Sequence, residues 1–376
     1  MSDLITTYAG LPVPSSSDHL WRYTGWRKIH PMSDVRKIPE NSLQAKFTLS
    51  MLDGSPPPEK ITLDWATAND IESLSSNLLS INDPSVCFQR ILMANSTPFV
   101  LRIPEGLCLE QPLMVEVHAS GHTANANLLL DIGRMAELEL IISLDGEPGW
   151  FGWVQEGVIG DGAHVQQLFI NQLSNDTRFL RHEGLELGKD TVLSSATLSS
   201  GALLCKSDMR YHLGNAGTNL SLHVATHGIG FRHDDHHFVI QHSQGNNQSN
   251  LQMHAVCDDN SRSIGTGKLQ IFEGAHHSNA SQVFRNLLLS ENSRADSIPE
   301  LEVLANEVQA AHGAASSSIE SDQIFYLESR GLNEDEAIKL IVEGFLMDSY
   351  SNFGSTKIRD WLQARLTLHL DCEYVP

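Results

Sequence analysis

LEVLANEVQAAHGAASSSIESDQIFYLESRGL, residues Leu301 to Leu332, changes texture halfway along. It begins as an alternating strand, passes a lone histidine, His312, beside Gly313, crosses a run of small residues and turns helical. A strand-rich body ends here and a helical tail begins, with His312 where the two meet.

Upstream, short apolar or alternating runs recur for some 200 residues. They include 99–103, 113–117, 127–132, 135–142, 165–170, 185–187, 192–197, 220–226, 237–242, 251–256 and 268–272. Gly, Asn, Asp and Ser fill the gaps, with almost no helical spacing between them. That pattern predicts an all-β body. Two kinds of solution fit it: a sandwich or barrel, and a parallel β-helix. The β-helix is favoured, with coils of two or three strands joined by short polar corners, although no strict period stands out. The ends of such a stack are exposed edges, and the flanking segments are expected to cap them.

Downstream, Ser321 to Arg330 places Ile324, Phe325 and Leu327 on one side, and Gly331 suits a helix stop. Asn333 fits an N-cap, with Glu336 completing a capping box. Ala337, Ile338, Ile341, Val342, Phe345 and Leu346 follow at helical spacing. A last helix is expected from Ser355, carrying Ile358, Trp361 and Leu362. This apolar stripe must be buried on the body or on a partner.

Before the strands the chain is mixed. Trp21, Tyr23 and Trp26 form an aromatic cluster expected to dock on the body. Lys46 to Leu52 reads as a strand, Pro56 to Pro58 as a loop, and Trp65 to Leu79 as a helix capped by Asp64. Residues 83 to 95 continue as helix. The chain thus divides into a mixed N-terminal segment (1–97), a strand core (98–315) and a helical C-terminal segment (316–376).

Composition narrows the function. With 46 acidic and 25 basic side chains the net charge is −21, which repels phosphate backbones and anionic lipid. Neither nucleic acid nor membrane is an expected partner, and no apolar run is long enough to span a bilayer. The start of the sequence has no basic segment leading into an apolar core, so no secretory signal is expected. Five cysteines at wide spacings, without CxxC, indicate neither a disulfide framework nor a zinc site. Reduced thiols in a cytoplasm fit best. Cys205 and Cys257 read as buried and inert, and Cys372 as the accessible one.

The run FRHDDHHFVIQH, residues Phe231 to His242, invites a metal reading. On an unbroken strand, however, His236 and His242 share a face with Phe238 and Ile240 between them, a poor site. His276 and His277 offer less. The carboxylate pairs Asp234-Asp235 and Asp258-Asp259 suggest another class, since parallel β-helices also host carbohydrate-cleaving enzymes. Such sites come with aromatic platforms, and only 7% of this chain is aromatic.

Ordered motifs resemble the SufB/SufD family of iron–sulfur cluster assembly proteins. Pro299 to Val303 is similar to its PELEI stretch, and His312-Gly313-Ala314 to its HGA core. Asp322 to Leu327 with Ser329-Arg330-Gly331 is similar to its DEQxFYLxSRG block, and Asn286 to Ser290 to NLLLS. Trp21 to Thr24, after Gly10 to Pro12, resembles the N-terminal WRYT element. The likeness runs from about residue 10 to 346 and is strongest over 286–345. Where the family commonly reads Cys-Ser-His-Gly-Ala-Thr, this chain has Ala310 to Ala315 and lacks the cysteine. That makes it SufD-like rather than SufB-like.

The resemblance implies a right-handed parallel β-helix core flanked by helical segments at both termini. It implies a non-catalytic scaffold that pairs with a SufB-type subunit and docks a SufC-type ATPase. The ATP chemistry belongs to SufC, and no GxxxxGK-Ser/Thr loop occurs here. His312 is the expected ligand of a transient iron–sulfur cluster shared with SufB. Asn333, Glu336, Ile338, Ile341 and Phe345 are the expected SufC-facing residues. A SufB-like homodimer is the alternative.

Overall fold

The structure is a computed structural model and describes residues 2–94 and 96–374. The chain opens with α1 (Ser2–Gly10), a single 3-10 turn (His19–Trp21) and α2 (Trp26–Ile29). Strands β1 (Leu43–Gln44), β2 (Lys46–Met51) and β3 (Thr62–Trp65) follow, then α3 (Ala68–Leu74) and α4 (Pro84–Met93). An unbroken series of strands comes next. It starts with β4 (Phe99–Ile103), β5 (Leu113–Ala119), β6 (Thr123–Ile132), β7 (Glu137–Gly146) and β8 (Trp150–Ile159). It continues with β9 (His164–Leu173), β10 (Arg178–Leu187), β11 (Val192–Ser199), β12 (Leu204–Leu213) and β13 (Asn219–Gly228). Then come β14 (His233–His242), β15 (Gln248–Cys257), β16 (Arg262–Ile271), β17 (Asn279–Leu288), β18 (Arg294–Val303) and β19 (Gln309–Ser318). Helices α5 (Ser321–Glu328), α6 (Glu334–Asp348) and α7 (Thr356–Tyr374) close the chain.

The strands build two facing sheets. One runs β3-β4-β6-β8-β10-β12-β14-β16-β18, with β1 beside β6. The other runs β2-β5-β7-β9-β11-β13-β15-β17-β19. Each coil gives one strand to each sheet, and from β4 onward neighbours are parallel. The molecule is a parallel β-solenoid with two strands per coil.

Register explains why no period was legible. Thr123, Trp150, Arg178, Leu204, His233, Arg262 and Arg294 are successive partners, so the coils advance by 27, 28, 26, 29, 29 and 32 residues. The strands hold their length while the corners vary. Stacking also permits close backbone approach: at Gly146 (φ 114°) a Cβ would lie 1.9 Å from the Ala119 carbonyl oxygen.

Alternation sends every second side chain into the lumen. Leu138, Leu140, Ile142 and Leu144 of β7 meet Ala126, Leu128 and Leu130 of β6 across one continuous core. The outward faces are covered separately. Trp21 packs edge to face on Trp26, Trp26 on Phe88, and Phe88 on Trp150 of the β8–β10 surface. Trp150 Nε1 donates to the Ile29 carbonyl (2.8 Å). On the other sheet α6 and α7 lie against Leu168, Leu198, Ala225 and Val256. Leu362, Leu366 and Leu370 of α7 recur at helical spacing and are fully buried, each contributing on the order of 1.5–3 kcal/mol. Tyr350 donates to the Thr197 carbonyl (2.7 Å), and Ser355 Oγ, just ahead of α7, donates to Glu139 Oε2 (2.7 Å).

Two local expectations need correction. The helix expected from Trp65 begins at Ala68, because Trp65 and Asp64 still belong to β3, paired antiparallel with β4. Thr67 is its cap, in a reciprocal box with Asp70. Capping of the stack is one-sided. Antiparallel β2 and β3 close the N-terminal end, but the C-terminal helices turn back along the sheet face, leaving β18 and β19 as edges.

Candidate functional site

The open end of the solenoid, where β18 and β19 are edges, is the candidate site. Gln309 N donates to the Ser278 carbonyl on the preceding coil (2.9 Å). Strand alternation then turns the N–H groups of Ala310, His312 and Ala314 toward the unpaired edge. The run of small residues Ala310 to Ser318, expected to lead out of the body, is itself strand β19, held by its ladder to β17. Ala, Gly and Ser are weak strand formers, so the neighbour imposes the conformation.

His312 therefore sits in mid-strand rather than at the helix junction. Its register partner is Gln282, which continues inward to Leu251 and Leu222, one row of lumen-facing side chains. His312 ends that row and is exposed. Among the described residues its ring has no hydrogen-bond partner. The facing edge, β18, carries Pro299, which gives no N–H to an edge. Asn286 Nδ2 ties the two edges, donating to Ser297 Oγ (3.1 Å) and Ser316 Oγ (3.0 Å). Val303 and Leu304 are exposed beside them.

The helical residues expected to meet a partner divide into two kinds. Asn333 and Glu336 hold each other: Glu336 N donates to Asn333 Oδ1 (2.9 Å) and Asn333 N to Glu336 Oε2 (2.8 Å). Ile338, Ile341 and Phe345 already pack in part on the chain's own core. Phe345 stacks on His254 at 5.0 Å, and its carbonyl lies 2.8 Å from His254 Nδ1. Open apolar surface remains at Leu340 of α6, at Leu368 of α7 and above all on α5, which buries none of its residues. There Phe325 is 71% and Tyr326 54% exposed. Arg330 Nη2 donates to Tyr326 Oη (2.8 Å) and steadies that ring.

The histidine-rich strand β14 is buried. Asp235 faces outward, where Lys206 Nζ (2.9 Å) and Thr24 Oγ1 (2.6 Å) donate to it. Thr24 comes from the WRYT element, which thus seals a buried ion pair. Asp208 lies between Arg210 and His237 at 2.8 and 2.9 Å. Burial would raise that carboxyl, but Arg210 and His237 overcome it and hold it well below the carboxylate range. Asp234 faces the lumen and binds Arg232. Asp234 and Asp235 point to opposite sides of one strand, each already paired, so they do not flank a substrate groove. Cys205 and Cys257 are buried and Cys372 is exposed. Burial pushes both buried thiols up to about 12.

Sequence reading missed one lumen feature. Arg181 and Glu183, both lumen-facing on β10, pair at 2.5 Å, with Arg181 over the Phe169 ring and Tyr211 Oη donating to Glu183 (2.7 Å). The available signal was two opposite charges at inward positions of RFLRHEGLEL.

Among the described residues no helix is long and apolar enough to cross a membrane. Comparison with known proteins adds the rest. The family model for "SUF system FeS cluster assembly, SufBD core domain" matches residues 115–345. The chain is 25% identical over 379 residues to an iron–sulfur cluster assembly SufBD family protein of Mycobacterium bovis, covering 96% of this chain and 90% of that one. It is 29% identical over 255 residues to the iron–sulfur cluster assembly protein SufD of Bacillus subtilis, covering 65% of this chain and 58% of that one. For SufD of Escherichia coli the values are 24% over 251 residues, 65% and 59%.

Proposed function

This chain belongs to the SufBD family of the SUF system for iron–sulfur cluster assembly, and on that premise we propose that it is the SufD-like scaffold of a three-component complex. In this reading it performs no catalysis. Its open solenoid end pairs with a SufB-type subunit, and its helical arm docks a SufC-type ATPase. The nascent cluster is cargo, held transiently between His312 and ligands of the SufB-type chain.

One observation carries the reading. His312 is an exposed imidazole without a partner among the described residues, on an edge strand whose outer N–H groups are unpaired. An edge of that kind is completed by another strand. A neutral imidazole suits iron, and a single one completes a site whose other ligands come from the partner. The absence of cysteine over 310–315 leaves thiolate ligation to that partner.

For the ATPase, the exposed Phe325 and Tyr326 of α5 extend the surface begun by Asn333, Glu336, Ile338, Ile341 and Phe345 of α6. Because α6 and α7 cover the sheet, deleting the arm would expose a buried face, so point variants are the better probe. Free thiols and the acidic surface fit a cytoplasmic setting.

The test is co-purification of the full chain with SufB- and SufC-type proteins of its own organism. F325A/Y326A is expected to lose the SufC-type protein and keep the SufB-type one. If the wild-type chain retained neither protein, the scaffold reading would fall. Self-association through β19 without a SufB-type chain would favour a homodimeric scaffold instead.

A further inference from the structure

Within the solenoid, two coils in from the open end, one lumen corner collects three ligand-bearing side chains from two strands. Cys205 of β12 and Asp234 of β14 are register partners and both face inward. His236, two residues beyond Asp234, shares that face. One ligand atom from each of the three lies within 4.8 Å of the others. The sequence alone argued against a metal here, because the histidines of β14 sharing a face are separated by Phe238 and Ile240. Strand stacking supplies what the strand lacks, a thiol from the coil before.

His236 is the informative member. It is 1% exposed, yet among the described residues neither ring nitrogen has a hydrogen-bond partner. Its Nε2 lies 3.7 Å from Asp234 Oδ1, too far for a hydrogen bond. Leaving both nitrogens of a buried imidazole unsatisfied is costly, and a bound ligand would remove that cost. Asp234 binds Arg232, and Ser199 Oγ donates to Asp234 (3.1 Å) and lies 3.9 Å from Cys205 Sγ. A nitrogen lone pair, a carboxylate oxygen and a sulfur thus converge without contacting one another. Ligands held at about 2.0–2.3 Å from one ion sit roughly 3.5 Å apart, so small side-chain shifts close the set.

We propose that Cys205, Asp234 and His236 form a binding site for one divalent transition-metal ion inside the solenoid. Sulfur and imidazole together select zinc, cobalt or ferrous iron over magnesium or calcium. Binding displaces the thiol proton, which leaves to solvent as the thiolate forms. Arg232 stays on the carboxylate and orients it, a supporting contact of the kind metal sites use. Arg232 also lines a cavity of about 230 Å³ shared with His227 and His369, which brings solvent near the corner. The site is separate from His312 and takes no part in the proposed cluster hand-over.

Cobalt(II) is the probe. The full chain is purified under reducing conditions, stripped with chelator, and refolded from mild denaturant with Co²⁺ so that burial does not block loading. One Co²⁺ per chain with a thiolate-to-cobalt charge-transfer band is expected. C205S, which preserves volume, is expected to abolish the band, and H236A to weaken binding at least about tenfold. H236Q serves if circular dichroism shows H236A unfolded, and C372S, which removes an exposed thiol, is expected to bind as wild type. No Co²⁺ on the wild-type chain, a band that survives C205S, or binding unchanged by both His236 substitutions would overturn the site. A band lost in C372S would place the metal at the exposed thiol of α7 instead.

Discussion

Gln282 and His312 are register partners on adjacent coils, yet Gln282 is fully buried and His312 is exposed. The difference is one strand of cover. Gln282 Nε2 donates to the Glu300 carbonyl (3.0 Å) of the last coil, whereas among the described residues no further strand covers His312. A strand added to β19 would bury His312 as β19 buries Gln282. The proposed cluster chemistry follows from this step, since a ligand at such an edge becomes enclosed only when a partner arrives.

Blocking the edge should separate folding from assembly. Ala314 presents its N–H outward, so Ala314→Pro removes a donor the chain itself does not use. We predict at least about tenfold weaker association with the SufB-type partner, with the melting temperature within a few degrees of wild type. Undiminished association, measured by titration calorimetry, would place the interface elsewhere.

The Arg181–Glu183 pair should show the asymmetry of buried charge. Arg181→Ala strands a buried carboxylate and is expected to cost about 3–5 kcal/mol. Arg181→Met with Glu183→Leu removes both charges, and we predict that it recovers most of that loss. Chemical denaturation of the three proteins checks it. Equal damage from the single and the double variant would mean that packing over Phe169, not charge, dominates.

Tyr350 pins the helical arm to β11. Tyr350→Phe removes a buried hydrogen bond to the Thr197 carbonyl, which keeps its place in the strand ladder, and the expected loss is about 0.5–1.5 kcal/mol. Hydrogen exchange should rise first in α6 and α7. Exchange confined to α1 or α2 would contradict the pinning role.

Acid should destabilise the fold through buried histidines. Burial lowers His30, His242 and His369 from 6.5 to about 4. Between these values the unfolded chain binds more protons, so stability rises with pH. The contribution is whole above about 6.5 and is lost as pH falls toward 4. We predict a melting temperature at least about 5 °C lower at pH 5 than at pH 7.5. A flat profile across that window would show these rings to be solvated.

Much of this was legible in the sequence, for identifiable reasons. Asn333 and Glu336 form the expected capping box because capping is local chemistry written within four residues. His312 stood out through its motif. The length of the strands did not. Runs such as Leu185 to Leu187 proved to be the ends of ten-residue strands, because Arg181 and Glu183 interrupt the apolar pattern from inside the lumen. The Thr67 cap was hidden because β3 carries the backbone past Asp64. Long-range pairing also decides which groups meet, so neither the Cys205–His236 corner nor the seal of Thr24 over Asp235 could be read along the chain.

The central claim is that His312 holds the nascent cluster at a shared seam. Its most direct test is cluster formation by the reconstituted complex of this chain with its SufB- and SufC-type partners, comparing wild type with His312→Ala. The account predicts that the variant still assembles with both partners while cluster formation falls at least about tenfold. A complex that assembles normally and builds clusters at the wild-type rate would contradict it.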